Sequence, residues 1–200
     1  MNCIIASVGY RLAPEFPFPT PLEDCYTATK GLAKGAEKLM VIGESAGGNL
    51  AAAVACMASD KKEFKLHAQI LIYPAITSDL AHQNYENCPD QFFLTQESME
   101  YFWKSYISNK DDLKNPYASL DLRKDFHGLP PACIITGEYD PLASEAHQYA
   151  IRLKSAGVPV IEKMLPKLIH GFLYIFLYNE KEKVQWTEEI LQCLVKIGFL

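Results

Sequence analysis

The chain has 200 residues, enough for one domain that buries a sizeable hydrophobic core. Its composition, 49% hydrophobic and 22% charged, is that of an ordinary globular protein, and its net charge of -5 argues against nucleic acid as a partner. No apolar run approaches the roughly 20 residues that cross a bilayer. The first residues, Met1 to Ile5, lack the basic region and the small-residue cleavage site of a secretory signal. We therefore expect neither a secretory signal nor a membrane anchor in these 200 residues.

Six cysteines are spread along the chain without a C-x-x-C pair, and several lie inside apolar segments. A thiol in such a segment behaves as a small hydrophobic group. This pattern predicts reduced cysteines in a cytoplasmic protein rather than a disulfide framework or a metal site. We predict neither a metal nor a cofactor.

Short β-type runs alternate with helical stretches. We predict strands at Cys3–Tyr10, Lys38–Gly43, Ala68–Tyr73, Ala132–Thr136 and Val158–Met164, and helices at Leu22–Lys34, Ala46–Ser59, Ser144–Ala156 and Glu182–Ile197. All strands but the last are nearly continuous apolar runs, as expected when both faces of a sheet are covered. Strands separated by helices indicate a mostly parallel sheet with right-handed crossovers, and therefore an α/β fold of one domain.

The segment from residue 75 to residue 129 breaks this alternation, because it contains no convincing strand. Thr95-x-x-Ser98, followed by Met99 and several aromatic residues, predicts a helix with an aromatic face. Connections of this length are often functional. We therefore interpret the segment as a helical, lid-like insertion, with simple packing of its aromatic residues into the core as the alternative.

The motif Gly43-Glu44-Ser45-Ala46-Gly47 stands between an apolar run and an Ala-rich run. Strand, tight turn and helix form the setting of a nucleophile elbow, in which a strained backbone lifts the serine hydroxyl above the sheet. Side chains at Gly43 and Gly47 are expected to collide with the neighbouring strand and helix. Glu44 could tune the local charge, and an ordinary polar role explains it equally well.

A serine nucleophile needs a base, and the base needs an acid that orients it. In α/β-hydrolases these groups follow in the order serine, acid, histidine. Asp140 and His170 fit this order, and both follow predicted strands whose carboxyl ends meet at the edge where parallel sheets place their sites. Glu138 is the rival acid, with a turn residue that satisfies backbone amides as its other interpretation. The remaining histidines, His67, His82, His127 and His147, lack the combination of strand-end position and correct order.

Further stretches occur in order along nearly the whole chain. They are Tyr10-Arg11-Leu12-Ala13-Pro14-Glu15 with Phe18-Pro19, Gly43 to Leu50, Asn115-Pro116-Tyr117-Ala118-Ser119, Leu129-Pro130-Pro131, Gly137 to Leu142, and Ile169-His170-Gly171-Phe172. Together they resemble the hormone-sensitive-lipase family of α/β-hydrolases, with bacterial esterases and arylacetamide deacetylases closest in character. The resemblance implies a carboxylesterase or deacetylase with Ser45 as nucleophile, Asp140 as acid and His170 as base.

The chain also departs from the family pattern. The family carries a His-Gly-Gly-Gly type motif upstream of Tyr-Arg-Leu-Ala-Pro-Glu, and its backbone amides supply most of the oxyanion hole. No such motif occurs here, which leaves the Ala46 amide as the expected oxyanion donor. Strands that precede Cys3–Tyr10 in the family are absent too, so this strand either pairs with Lys38–Gly43 or leaves apolar edges through which the chain could self-associate. Lys167 stands where the family tends to place glycine. We therefore expect an N-terminally truncated or degenerate family member.

The preferred hypothesis is a serine carboxylester hydrolase that acts on small-molecule esters with short to medium acyl or aryl groups through an acyl-enzyme. Four aromatic residues are predicted to line its substrate pocket: Phe92, Phe93, Trp103 and Phe172. The alternative is a catalytically impaired fragment or a non-enzymatic ligand-binding remnant, because the oxyanion motif is missing. Plant gibberellin receptors are such a binding branch, but they have lost the base that His170 represents. A peptidase ranks last, because nothing in the sequence resembles an anchor for a peptide terminus.

Overall fold

The computed structural model describes residues 3–82, 93–175 and 180–198. Within these ranges, four parallel strands form one sheet with the spatial order β1-β2-β3-β4. The strands are β1, Met40–Glu44; β2, Ala68–Ile72; β3, Ala132–Tyr139; and β4, Val160–Ile169. The α/β architecture predicted from the alternating pattern is confirmed. Both β3 and β4 extend further toward their carboxyl ends than predicted.

Helices cover both faces of this sheet. They are α1, Thr20–Ala33; α2, Ala46–Lys61; α3, Gln96–Tyr106; α4, Ala143–Ser155; α5, Phe172–Ile175; and α6, Glu180–Lys196. Successive residues of β3 point to opposite faces of the sheet. Ile134 packs in the larger hydrophobic cluster with α1, α2 and α4, whereas Cys133 packs in the smaller cluster with residues of α5 and α6. No helix among the described residues combines the length and the apolar character that crossing a bilayer requires.

The helix α2 is buried along most of its length, from Gly48 to Ala58. Its many alanines favour the helix intrinsically and allow the sheet and the neighbouring helices to approach closely. Lys62, the residue after the helix, adopts a left-handed conformation with φ 54°. Ser45, which directly precedes α2, is therefore attached to a rigid helix that is packed into the core.

The prediction of a strand over Cys3–Tyr10 is wrong. Residues 3–10 lie outside helix and strand, and Ile4 and Ile5 are 96% and 84% exposed. An apolar run gains neither ladder hydrogen bonds nor burial unless another strand lies beside it. Within the described residues β1 pairs with β2 alone, and Ile42 on β1 is 51% exposed. Self-association through this edge stays a prediction.

The described part of the 75–129 segment contains α3. Thr95 caps it, because its Oγ1 accepts the Ser98 amide (3.1 Å) while Ser98 Oγ accepts the Thr95 amide (3.0 Å). The expected aromatic face is only partly correct, since Met99 and Trp103 are buried one turn apart whereas Tyr101 and Phe102 are exposed on other sides of the helix. The lid-like role of the segment stays a prediction.

Two polar anchors tie this segment to α2. The buried Asn49 side chain donates to the carbonyl oxygens of Ala75 (3.0 Å) and Ala118 (3.1 Å). At the other end of α2, Asp60 accepts two hydrogen bonds of 2.7 Å from the Arg123 guanidinium. Tyr117 donates to the same carboxylate at 2.6 Å.

The Asp60–Arg123 ion pair should make the stability of the fold sensitive to acid. The Arg123 hydrogen bonds hold the pKa of Asp60 below its ordinary value of 3.8, so this stabilisation is complete above that value and is lost as the pH falls through the lower folded pKa. We expect Asp60→Asn to lower the free energy of unfolding by about 1–2 kcal/mol at pH 7, since the pair is partly exposed. Urea denaturation at pH 7 and pH 3 measures this, and the difference from the parent chain should shrink at the lower pH. The exposed Asp111→Asn change is the control. An equal effect of both variants would contradict the role of the pair.

Candidate active site

Asp140 and His170 leave the sheet side by side. Tyr139, the last residue of β3, pairs with Ile169, the last residue of β4, so the next residues of both strands emerge at one edge. His170 Nδ1 lies 3.0 Å from Oδ2 and 3.1 Å from Oδ1 of Asp140. His170 is 4% exposed and Asp140 is 1% exposed, so this contact is shielded from water.

Ser45 reaches the other ring nitrogen of His170, with 2.9 Å between Oγ and Nε2. Its backbone is strained, with φ 53° and ψ -119°, and three hydrogen bonds hold it there. The Ser45 amide donates to the carbonyl of Ile72 (3.0 Å), while the Ser45 carbonyl accepts from the amides of Asn49 (3.1 Å) and Ala75 (3.2 Å). The structure thus brings the three predicted residues, Ser45, His170 and Asp140, into one chain of contacts.

The glycines around Ser45 differ in whether the structure has room for a side chain at their positions. A Cβ on Gly43 would lie 2.0 Å from the Gly47 carbonyl oxygen, which no side chain tolerates. A Cβ on Gly47 would meet nothing within 4 Å among the described residues, so the expected collision there is wrong. The second close approach belongs to Gly48, whose Cβ would lie 2.8 Å from Pro74 Cβ. The strand β1 and the helix α2 therefore touch at Gly43, and α2 touches Pro74 at Gly48.

Tyr73 is a residue of the site that the sequence analysis missed. It follows β2 beside Ser45, is fully buried, and adopts a φ of 37°. Its ring centroid lies 4.7 Å from that of His170 and 4.8 Å from that of Phe172. The ring thus packs directly against the imidazole and against Phe172. Burial, with the nearby Glu44 carboxylate, raises the pKa of its hydroxyl, which stays protonated at neutral pH. A signal was available in Tyr73-Pro74 at a strand end, but an aromatic residue there is indistinguishable from the end of an apolar strand.

Glu44 connects the serine turn to the short helix α5. Its carboxylate accepts a 2.7 Å hydrogen bond from the Tyr174 hydroxyl. This hydrogen bond raises the pKa of Tyr174. Glu44 therefore ties the strand before Ser45 to the helix that follows His170.

Glu138 accepts the backbone amide of Lys167 at 2.8 Å, which matches its interpretation as a turn residue. Lys167 has a φ of 62°, in the left-handed region that favours glycine. Glycine would adopt this conformation with less strain than lysine, and the Glu138 side chain helps to hold the lysine in it.

The predicted pocket residues lie in different surroundings. Phe93 is 67% exposed, and its ring edge lies 3.2 Å from where a Cβ on Gly171 would stand, next to His170. Phe172 is buried against Tyr73, and Trp103 packs in the larger core cluster. Phe92 lies outside the described residues. The pocket assignment stays a prediction.

The Ala46 amide, the predicted oxyanion donor, begins α2. The first amides of a helix have no partner within it and lie at the positive end of the helix dipole. Within the described ranges, no three His, Cys, Asp or Glu side chains cluster in a way that could hold a metal ion.

Residues 1–174 match a family model described as the α/β-hydrolase fold. The chain belongs to this family. The resemblance to its hormone-sensitive-lipase branch is confirmed by relatives that carry esterase names. An arylesterase from Saccharolobus solfataricus is 38% identical over 180 residues, and the carboxylesterase NlhH of Mycobacterium tuberculosis is 34% identical over 182 residues.

The solved structure of a hyperthermophilic esterase from the archaeon Pyrobaculum calidifontis superposes on this α/β-hydrolase with a TM-score of 0.83 at 36% identity, covering 94% of this chain and 64% of that one. The match to the arylesterase covers 86% of this chain and 58% of that protein, and the match to NlhH covers 86% and 57%. The chain thus spans less than two thirds of the length of these relatives.

The glycine contacts generate a matched prediction. We expect Gly43→Ala to lower the free energy of unfolding by about 3 kcal/mol, because the new methyl group would drive α2 from β1. Gly47→Ala should be neutral or stabilising by up to about 1 kcal/mol, since alanine is the better helix former. Thermal and urea denaturation of the two variants measures both values. Equal destabilisation would contradict the contact at Gly43.

The Tyr73 ring and hydroxyl are expected to differ in importance. The hydroxyl is buried and makes no hydrogen bond of normal geometry with the described residues, although the Glu44 carboxylate lies near it, so Tyr73→Phe should leave stability nearly unchanged. Tyr73→Ala should cost about 3–5 kcal/mol, because it leaves a cavity under the imidazole. Tyr117→Phe is the comparison, since it removes a hydroxyl that does bind a carboxylate and should lose about 1 kcal/mol. Loss of stability in Tyr73→Phe equal to that in Tyr117→Phe would contradict this account.

Proposed function

We propose that the chain carries the catalytic residues of a serine carboxylester hydrolase. The observation that supports this most strongly is the path of contacts from Ser45 Oγ through the His170 imidazole to Asp140, with separations of 2.9 Å and 3.0 Å. A hydroxyl, an imidazole and a buried carboxylate in this order can generate a nucleophile at neutral pH.

Each group has a defined role in the proposed reaction. The Asp140 carboxylate accepts the Nδ1–H of His170, so the lone pair on Nε2 faces the Ser45 hydroxyl. As Ser45 Oγ attacks the ester carbonyl carbon, its proton passes to Nε2, and the resulting imidazolium is stabilised by Asp140. The imidazolium then protonates the alkoxide that leaves, and an acyl group remains on Ser45. Water attacks this acyl-enzyme by the same proton transfers in reverse order.

The oxyanion of the tetrahedral intermediate needs hydrogen-bond donors. Ala46 supplies one backbone amide at the start of α2, where the helix dipole adds to the stabilisation. Removing a single such donor in a well-studied protease costs about 100- to 1000-fold in rate. We therefore expect slow turnover from this chain by itself, while nucleophilic attack on a highly reactive probe persists.

The substrate class is proposed from the relatives as well as from the site. Relatives named arylesterase and carboxylesterase support esters with short to medium acyl or aryl groups. The exposed Phe93 ring beside Gly171 gives an apolar surface next to the imidazole, which suits such groups. These names also favour a hydrolase over a silent ligand-binding remnant, although the missing oxyanion motif was the reason for that alternative.

Hydrolysis of p-nitrophenyl acetate and butyrate tests the proposal. We expect measurable turnover that Ser45→Ala abolishes and that Asp140→Asn lowers by about three to four orders of magnitude, because the wrong imidazole tautomer would face the hydroxyl. A fluorophosphonate probe should label Ser45 in the parent chain, and His170→Ala should lose this labelling.

Glu138→Gln is the matched control, since this carboxyl neighbours Asp140 in sequence but binds the Lys167 amide. It should retain parental turnover and labelling. If the folded parent chain fails to react with the probe at Ser45, or if Ser45→Ala hydrolyses esters as fast as the parent, the hydrolase proposal is wrong.

A further inference from the structure

A cleft of about 950 Å³ lies at the edge of the sheet where the strands begin. Lys38, which shortly precedes β1, His67, which directly precedes β2, and Pro131, which directly precedes β3, all line it. Since the strands are parallel, this edge is opposite the one that carries Ser45 and His170. The cleft is therefore separate from the candidate active site, and its volume is in the range of small-molecule sites.

Apolar groups form much of the wall. Phe64, Pro131 and Ile197 line the cleft and are partly exposed, whereas Ala58 and Leu129 behind them are buried. The partly exposed residues offer a ligand an apolar surface.

Three lysines and two histidines are among the polar lining residues. Lys38, Lys62 and Lys65 line the cleft with His67 and His127, and no Asp or Glu is found among its described lining residues. Lys38 also interacts within the protein. This local excess of positive charge occurs on a chain whose net charge is -5. Walls that carry one sign of charge attract ligands of the opposite sign.

The neighbouring carboxylates are engaged with other groups. Asp60 binds Arg123, and Glu63 binds Lys30 (2.7 Å) and the Tyr26 hydroxyl (2.6 Å). Within the described parts of the chain, neither Lys62 nor Lys65 forms an ion pair. Asp125 does contact His127 at 2.8 Å, so His127 adds less charge to the cleft than the lysines do.

His67 adds a fixed donor. Its Nδ1 accepts the Leu39 amide (3.2 Å), and its own backbone amide donates to the Leu39 carbonyl (2.8 Å). Because Nδ1 is the acceptor, the ring proton lies on Nε2, which is the donor that remains for a ligand.

We propose that this cleft binds an amphiphilic anion, with a carboxylate or phosphate headgroup held by Lys62, Lys65 and His67 and an aliphatic chain against Phe64 and Pro131. Both parts of the ligand are required, because the apolar wall does not bind a small inorganic ion and the lysines do not bind a neutral chain. The residues that line the cleft do not include Ser45, Asp140 or His170, so this site does not depend on the proposed hydrolase activity.

Isothermal titration calorimetry of the parent chain with four octyl probes tests the site. We expect octanoate and octyl phosphate to bind with defined stoichiometry, octanol to bind more weakly, and octylamine not to bind. Rising ionic strength should weaken the binding of both anions. Tighter binding of octyl phosphate would identify a phosphate headgroup, and tighter binding of octanoate a carboxylate, and either result supports the proposal.

Variants locate the binding. Lys62→Gln combined with Lys65→Gln should weaken octanoate binding about tenfold, since two partly exposed charges are lost. Lys110→Gln with Lys114→Gln removes the same charge from an exposed 3₁₀ turn outside the cleft and should bind like the parent. Ser59→Leu keeps the lysines but narrows the cleft from α2, so it should weaken the binding of octanoate. Thermal melts confirm that each variant folds.

Three results would overturn the proposal. They are the absence of octanoate binding by the parent chain, equal binding of octylamine, and unchanged octanoate binding by the Lys62 and Lys65 double variant. The last result would place any bound octanoate elsewhere, including at the Ser45 edge.

Discussion

The turn at Ser45 requires β1 and α2 to approach until their backbones nearly touch, and the rest of the site depends on this contact. Gly43 permits this contact, because a Cβ there would overlap the backbone of Gly47, and Gly48 lets α2 lie directly against Pro74. The helix is buried from Gly48 to Ala58, so it cannot shift without disturbing the core. A strained residue persists only where its surroundings over-determine its conformation, and here the packed helix does so.

Residues with positive φ gather near this edge of the sheet. Among the described non-glycine residues, Ser45, Tyr73, Phe93 and Lys167 have φ between 37° and 77°. Ser45 and Tyr73 follow neighbouring strands, Phe93 contacts Gly171, and Lys167 precedes His170 on β4. Each such conformation costs about 1–3 kcal/mol. The fold thus concentrates unfavourable backbone geometry where the hydroxyl and the imidazole must meet, and Lys62 is the one remaining non-glycine residue with positive φ in the described part of the chain.

The sequence predicts the four strands and the convergence of Ser45, Asp140 and His170, because apolar runs and strand-end positions follow from general rules of parallel sheets. Cys3–Tyr10 fails as a strand because apolar character does not supply a neighbouring strand. Tyr73 is missed for a related reason, since a pattern shows that an aromatic residue is buried but not which ring it contacts. The register between β3 and β4, which sets Asp140 beside His170, becomes visible only once the strands are paired.

Asn49 has a consequence for the variability of the 75–129 segment. Its amide holds the carbonyl oxygens of Ala75 and Ala118, two points that are distant along the chain but adjacent to the helix behind the serine. The stretch between Ala75 and Ala118 is therefore a loop whose two ends are both hydrogen-bonded to the Asn49 side chain. The entropy of closing such a loop depends only logarithmically on its length. The exposed parts of this stretch can thus change in length at little entropic cost, provided that Met99 and Trp103 of α3 keep their packing in the core.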